Sequence, residues 1–193
     1  MSTFDQDINS APKPSYRNTA VTYGALTGLV SIVIGLLSYL AGFSDPSKQQ
    51  GAMGWINLLI SYAVMIGGLV LAVRKHRDQE LGGFITFGRA FGAGFLTMLV
   101  LALITAVWTY IFFNFIATDM LDLIKETSIN SMVEKQGMSI EQAEAAMDNP
   151  ISKSMMNPAM FTVFAFFGIA VIGTIFALIV AAIMKKTPPE AHA

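Results

Sequence analysis

Few side chains in this 193-residue sequence could do chemistry, and there are no cysteines. Thiol nucleophiles, disulfides, Fe–S clusters and Cys-ligated zinc are therefore excluded. The two histidines are His76, inside the basic run Arg74-Lys75-His76-Arg77, and His192, near the C-terminus. Neither has a ligand set beside it in sequence, which argues against a metal site. No Gly-x-Ser-x-Gly elbow, Walker loop or His-Glu-x-x-His pair occurs. No catalytic, cofactor-binding or metal-binding residue can be named, so the expectation is a protein that is not an enzyme.

Two acidic sets have helical spacing. Asp119, Asp122 and Glu126 follow i, i+3, i+7, as do Glu141, Glu144 and Asp148. Each places three carboxylates on one helical face. Such a face could bind a divalent cation weakly, draw cations into a vestibule or dock a basic partner. It could equally keep a membrane-adjacent helix out of lipid, and that solvated-face reading is preferred.

The elements that position these groups follow from where charge is missing. The chain is 54% hydrophobic and 13% charged, with a net charge of −1, which removes the basic footprint of a nucleic-acid binder. Charge is absent from Asn18–Ser44, Gln49–Val73, Ala90–Thr118 and Ser154–Met184, windows of 27, 25, 29 and 31 residues. Crossing a hydrocarbon core of about 30 Å takes about 20 apolar residues in a helix. Each window is long enough to cross once and too short to cross twice. The predicted spans are 20–43, 51–73, 90–117 and 159–184. A soluble all-α protein would need polar helices to shield these segments, and only the stretch between the third and fourth spans could serve. The first span is too long for a signal-peptide core, and a cut after Ala41 would put bulky Tyr39 where a small residue is wanted. It is read as a retained helix.

The fold class expected is all-α: an integral membrane four-helix bundle with an extramembrane helical segment between helices 3 and 4. Residues 1–18 and 187–193 are expected to be disordered tails around a membrane domain at 19–186. Eight of the twelve basic residues fall on one side of this topology and four on the other. The positive-inside rule then places both termini in the cytoplasm. The outer segment, 119–157, has a net charge of −4. Leu121, Leu123 and Ile124 suggest that span three continues as an amphipathic helix. Gly137 reads as a helix stop, and Ser139 with Gln142 has capping-box spacing. That second helix should end near Asn149-Pro150.

Within the spans the polar groups are mild: Ser31, Ser38, Asn57, Ser61, Thr97, Thr105, Thr109, Asn114 and Thr174. They are candidates for interhelical hydrogen bonds, and Asn57 for a substrate contact or, preferably, packing. The absence of ionisable residues at depth argues against proton-coupled pumps and intramembrane hydrolases. Gly24-x-x-x-Gly28, leading to Gly35, and Gly88-x-x-x-Gly92, with Gly94 close by, offer close helix approach, as does Gly67-Gly68. Packing within the chain is favoured over homodimerisation, with spans one and three at the bundle centre. No repeat relates the two halves.

The most distinctive string is Leu81-Gly82-Gly83-Phe84-Ile85-Thr86-Phe87-Gly88-Arg89-Ala90-Phe91. Phe84, Phe87, Phe91 and Phe95 recur at i, i+3, i+7 and i+11, one aromatic face of an entering helix. Arg89 is expected to snorkel to lipid headgroups. Through Gly83 to Phe91 the chain resembles the bacterial four-span membrane proteins known as domain of unknown function 4199, common in Bacteroidetes. The basic stretch before the string, the charged loop between spans three and four and the terminal Lys pair are similar too. The resemblance covers roughly residues 17 to 186 and implies no established activity. It leaves two expectations. One is a non-enzymatic structural or accessory protein of the inner membrane, acting through its helices or its acidic outer loop. The other is a small oligomeric transporter or channel for a cation or small amphiphile. The partners implied are the lipid bilayer and another membrane protein or a second copy of the chain, with no nucleic acid and no cofactor.

Overall fold

A computed structural model describes residues 14–187. Four long apolar helices dominate it: α1 (Arg17–Leu40), α2 (Ala52–Lys75), α3 (Phe87–Ile111) and α7 (Pro158–Met184). All four are long and apolar enough to cross a membrane. Between α3 and α7 lie α4 (Met120–Gln136), α5 (Ile140–Met147) and α6 (Pro150–Met155). The chain is an all-α membrane bundle with a helical segment between its third and fourth spans, and no strand is formed among the described residues. Exposed Leu40, Trp55, Leu59, Phe167 and Ile183 lie along the long helices. Such surface is a liability in water and ordinary in lipid.

Local chemistry sets the helix ends. At the end of α1, Gly42 takes φ 70°, its N–H bonds to Tyr39, and the Phe43 N–H bonds to Ser38 at 2.8 Å. This is a Schellman stop, so the helix ends at Leu40 although the uncharged window runs on. Asn157 accepts from the N–H groups of Ala159 and Met160, with Pro158 as the first residue of α7. Ser139 and Gln142 form a complete capping box, and Gly137 closes α4 in the left-handed region at φ 67°.

Three boundaries differ from the hydropathy reading. Helix α1 begins at Arg17, so the tail expected over 1–18 is helical at its last two residues; its first thirteen lie outside the described residues, as do the final six of the chain. Helix α2 runs past Val73 to Lys75 and on through a wider π turn, His76–Glu80. Hydropathy sees only the apolar part of a helix, whereas backbone hydrogen bonding continues into its polar end. Span three does not run on into the outer segment: a π turn at Phe112–Ile116 and non-helical Ala117 separate α3 from α4.

Packing is uneven along the bundle. Helix α3 is central, lying chiefly against α7 and α1. Helix α1, expected to share the centre, lies at its flank. Buried residues on α1 run only from Thr19 to Gly28, on α2 from Met65 to Val73, on α3 from Ala90 to Ala106, and on α7 from Gly173 to Ala181. On α1, α2 and α7 these stretches lie in the half nearer the chain termini, whereas on α3 burial continues past the middle of the helix. Five interhelical glycine contacts lie in the terminal half, although Gly67 and Gly88 there face open space. A Cβ on Gly24 would stand 2.7 Å from the Thr97 carbonyl oxygen, and one on Gly28 2.8 Å from Ile104. Gly68 closes on Thr27, Gly94 on Leu69 and Gly173 on Met98. Gly35 and Gly168, in the opposite half, have nothing within 4 Å. The helices are clamped at the terminal end and stand apart at the end covered by the outer segment.

Candidate functional site

Where the helices part, a cavity of about 400 Å³ opens, within the range of small-molecule pockets. All four long helices line it. Ser31, Gly35 and Ser38 come from α1, Asn57, Ser61 and Tyr62 from α2, Thr105 from α3, and Ile169 and Ile172 from α7. Its floor is Met65 and Leu101, with Leu69 and Met98 buried in the core behind them. Ser44 and Gln49, from the loop joining α1 to α2, stand at its mouth. Gly35, Ile60 and Ser61 line it while remaining exposed. They lie within their helices, so the cavity opens sideways toward lipid.

The mouth is held by short local bonds. The Asp45 carboxylate accepts from the Ser47 hydroxyl at 2.6 Å and from its N–H at 2.9 Å. These bonds, the hydroxyl's first, hold that carboxyl below the usual carboxylate range. Gln50 donates to the Thr127 carbonyl at 3.4 Å and accepts from Lys135 at 2.6 Å, tying the loop to α4.

The intramembrane polar residues do not bond across helices as expected. Ser31 donates to the Thr27 carbonyl at 2.9 Å and Ser61 to that of Asn57 at 2.8 Å. Thr97, Thr174 and Asn114 likewise donate one turn back. The carbonyl four residues earlier is the nearest acceptor available in lipid. Asn57 reaches outside its own helix, to the Phe43 carbonyl at 3.4 Å, which Gln49 also engages at 2.6 Å. Ser31, Ser38, Asn57, Ser61 and Thr105, scattered over 75 positions of sequence, share one cavity.

A second polar constellation lies at the terminal end. His76 is wholly buried. Its Nδ1 is 2.6 Å from Glu80 Oε2, and its Nε2 is 3.4 Å from Arg89 Nη2. One neutral tautomer satisfies both contacts, with Nδ1–H donating and Nε2 accepting. Thr19 donates to Glu80, and the Tyr16 ring stands edge-on to the imidazole at 5.9 Å. Arg89 also donates to the Pro14 carbonyl. It therefore turns inward rather than snorkelling, because His76 and the segment before α1 offer acceptors at closer range than the headgroups. The spacing of His76 and Glu80, i and i+4, was the available signal; the hydropathy windows stopped short of it. His192 lies outside the described residues.

The glycine-aromatic string makes the elbow between α2 and α3. Gly82 and Gly83 take φ 66° and 92°, a conformation costly for other residues. Ile85 and Lys186 then exchange two backbone hydrogen bonds of 2.9 Å, so the C-terminal segment is tied to the elbow. Phe87, Phe91 and Phe95 stack successively along α3, while Phe84 instead faces the Lys186 ammonium at 5.4 Å. The acids of both outer sets are exposed to solvent, with Asp148 paired to Lys153 at 2.9 Å.

A family model described as protein of unknown function (DUF4199) matches residues 22–186, and the chain belongs to that family. No curated protein and no solved structure matches it.

Proposed function

We propose that this DUF4199 member is a non-enzymatic accessory protein of a bacterial inner membrane that accommodates a small amphiphile from the bilayer between its helices. The supporting observation is the uneven bundle. Burial is confined to the terminal half of α1, α2 and α7, and a cavity of about 400 Å³ lies between their other halves and α3, open sideways toward lipid. Fixed packing at one end provides a frame, and loose packing at the other provides room. The alternative, a small oligomeric transporter or channel, shares the cavity. Its floor at Met65 and Leu101, with Leu69 and Met98 behind, favours binding over conduction.

The orientation proposed places both termini in the cytoplasm and the acidic segment outside, supported by eight of twelve basic residues on the terminal side. Single cysteines introduced at Glu126 or Glu144 should react with a membrane-impermeant maleimide in intact cells. A cysteine at Gln79 should react only after lysis. The reversed pattern would overturn the orientation. For the cavity, Gly35→Leu is the direct test. The added side chain enters open space, so the bundle should melt like the unaltered protein while copurifying or added amphiphile is lost. Retention of the guest would refute this reading.

A further inference from the structure

We infer that the terminal face carries a docking site for an anionic phospholipid of the surrounding bilayer, seated where the C-terminal segment is pinned to the elbow. The site is separate from the cavity and does not depend on which compartment the terminal face meets. Around the helix ends of that face, residues 14–19, 74–89 and 185–187 hold seven Lys or Arg and two acids. Both acids are already engaged. Asp78 lies 3.5 Å from Arg74 and 2.7 Å from Arg77, and Glu80 is taken by Thr19 and His76. Arg89 is turned inward, to His76 and the Pro14 carbonyl. Lys185 and Lys186 are exposed, and neither ammonium has a carboxylate within 4 Å among the described residues. Their backbone is nonetheless fixed. The Lys185 N–H bonds to the Ala181 carbonyl at 3.0 Å, and Lys186 exchanges two bonds with Ile85. Arg77 reaches the same place, its Nη1 donating to the Met184 carbonyl at 3.5 Å. The Lys186 ammonium stands over the Phe84 ring, a contact that positions the charge without neutralising it. Cations on a fixed backbone lose less freedom on binding than cations on a free tail. At the end of a spanning helix such ammonium groups lie at headgroup level, where the available anion is a phosphodiester. Exposed Ile183 on the last turn of α7 and Phe87 on the first turn of α3 offer apolar surface for acyl chains. The opposite face carries the reverse balance, eight acids to four lysines among the described residues.

The test uses the full chain in nanodiscs of equal phosphatidylglycerol and phosphatidylcholine, with native mass spectrometry counting the retained lipids of each class. Phosphatidylglycerol should be held about 25-fold more tightly, about fivefold for each lysine. Lys185→Gln combined with Lys186→Gln should bring the two lipids to within about twofold. Lys185→Arg combined with Lys186→Arg should keep most of the preference, because the charge remains. Arg17→Gln combined with Arg74→Gln removes the same charge from the same face, away from the pair, and should change the preference by less than about threefold. Melting temperatures confirm that each variant keeps the bundle. Equal retention of both lipids by the unaltered chain would overturn the inference. An equal loss in the Arg17 and Arg74 variant would also overturn it, because the attraction would then belong to the whole face rather than to a site. Displacement of phosphatidylglycerol by inorganic phosphate, but not by chloride at equal ionic strength, would reassign the pair to a soluble anion and overturn the lipid as occupant.

Discussion

Gly24→Leu is expected to destabilise the bundle by about 3 kcal/mol, the upper part of the range for overpacking a close contact. The new Cβ would stand 2.7 Å from the Thr97 carbonyl oxygen and 2.8 Å from Val100 Cβ. A backbone oxygen inside a helix cannot swing aside as a side-chain terminus can, so α1 must move away from α3. Because α1 and α3 meet along one of the largest interfaces of the bundle, that displacement would also disturb Gly28 against Ile104. The measurement is a melting curve in detergent micelles or nanodiscs, with Gly35→Leu as the comparison. Both variants add the same side chain to the same helix, three turns apart, one into contact and one into space. Equal melting of the two would show that α1 does not sit on α3 as described.

His76→Ala should be comparably damaging, at about 3 kcal/mol, for a different reason. The ring is completely buried, so its removal leaves a hole and takes one partner each from Glu80 and Arg89. Those two groups are held by Thr19 and by the Pro14 carbonyl on the other side. The loss should therefore spread to the start of α1 rather than stay on α2. Hydrogen exchange should show faster exchange of amides 17–22 in this variant, alongside a lower melting temperature. Glu80→Gln keeps an acceptor for only one of Thr19 and His76 and turns an NH2 toward the other, and should cost about 1–2 kcal/mol. If His76→Ala left the exchange of α1 unchanged, the cluster would not be what holds the N-terminal helix.

The parts of this architecture legible in the sequence were those that lipid itself enforces. Four uncharged windows, each about one bilayer long, yielded four long helices. Asn157-Pro158, Ser139 with Gln142, and Gly137 marked helix ends by chemistry that acts within a few residues. The solvent exposure of the acidic faces at Asp119, Asp122 and Glu126, and at Glu141, Glu144 and Asp148, followed from spacing alone. Local rules sufficed there because every group involved lies within one helical turn or two of its partner.

Partnership between distant segments was not legible, and the candidate sites depend on it. The same nine polar residues that looked like interhelical glue instead bond mostly within their own helices, and five of them gather round one cavity. Arg89 looked like a lipid anchor, yet it faces His76 thirteen residues away. In water, a helix shows its buried face by being apolar there and polar elsewhere. In lipid, both the inward and the outward faces are apolar, so hydropathy records that a helix spans without recording which side meets a neighbour. Glycine spacing partly restores that information, since Gly24, Gly28 and Gly94 do mark contacts. Gly35 carries the same signal and marks an opening. Composition and charge distribution determined that this chain is an all-α bundle of four membrane helices. Only the tertiary structure decided that the bundle is closed at one end and open at the other, because that difference is made by steric fit between faces the sequence writes alike.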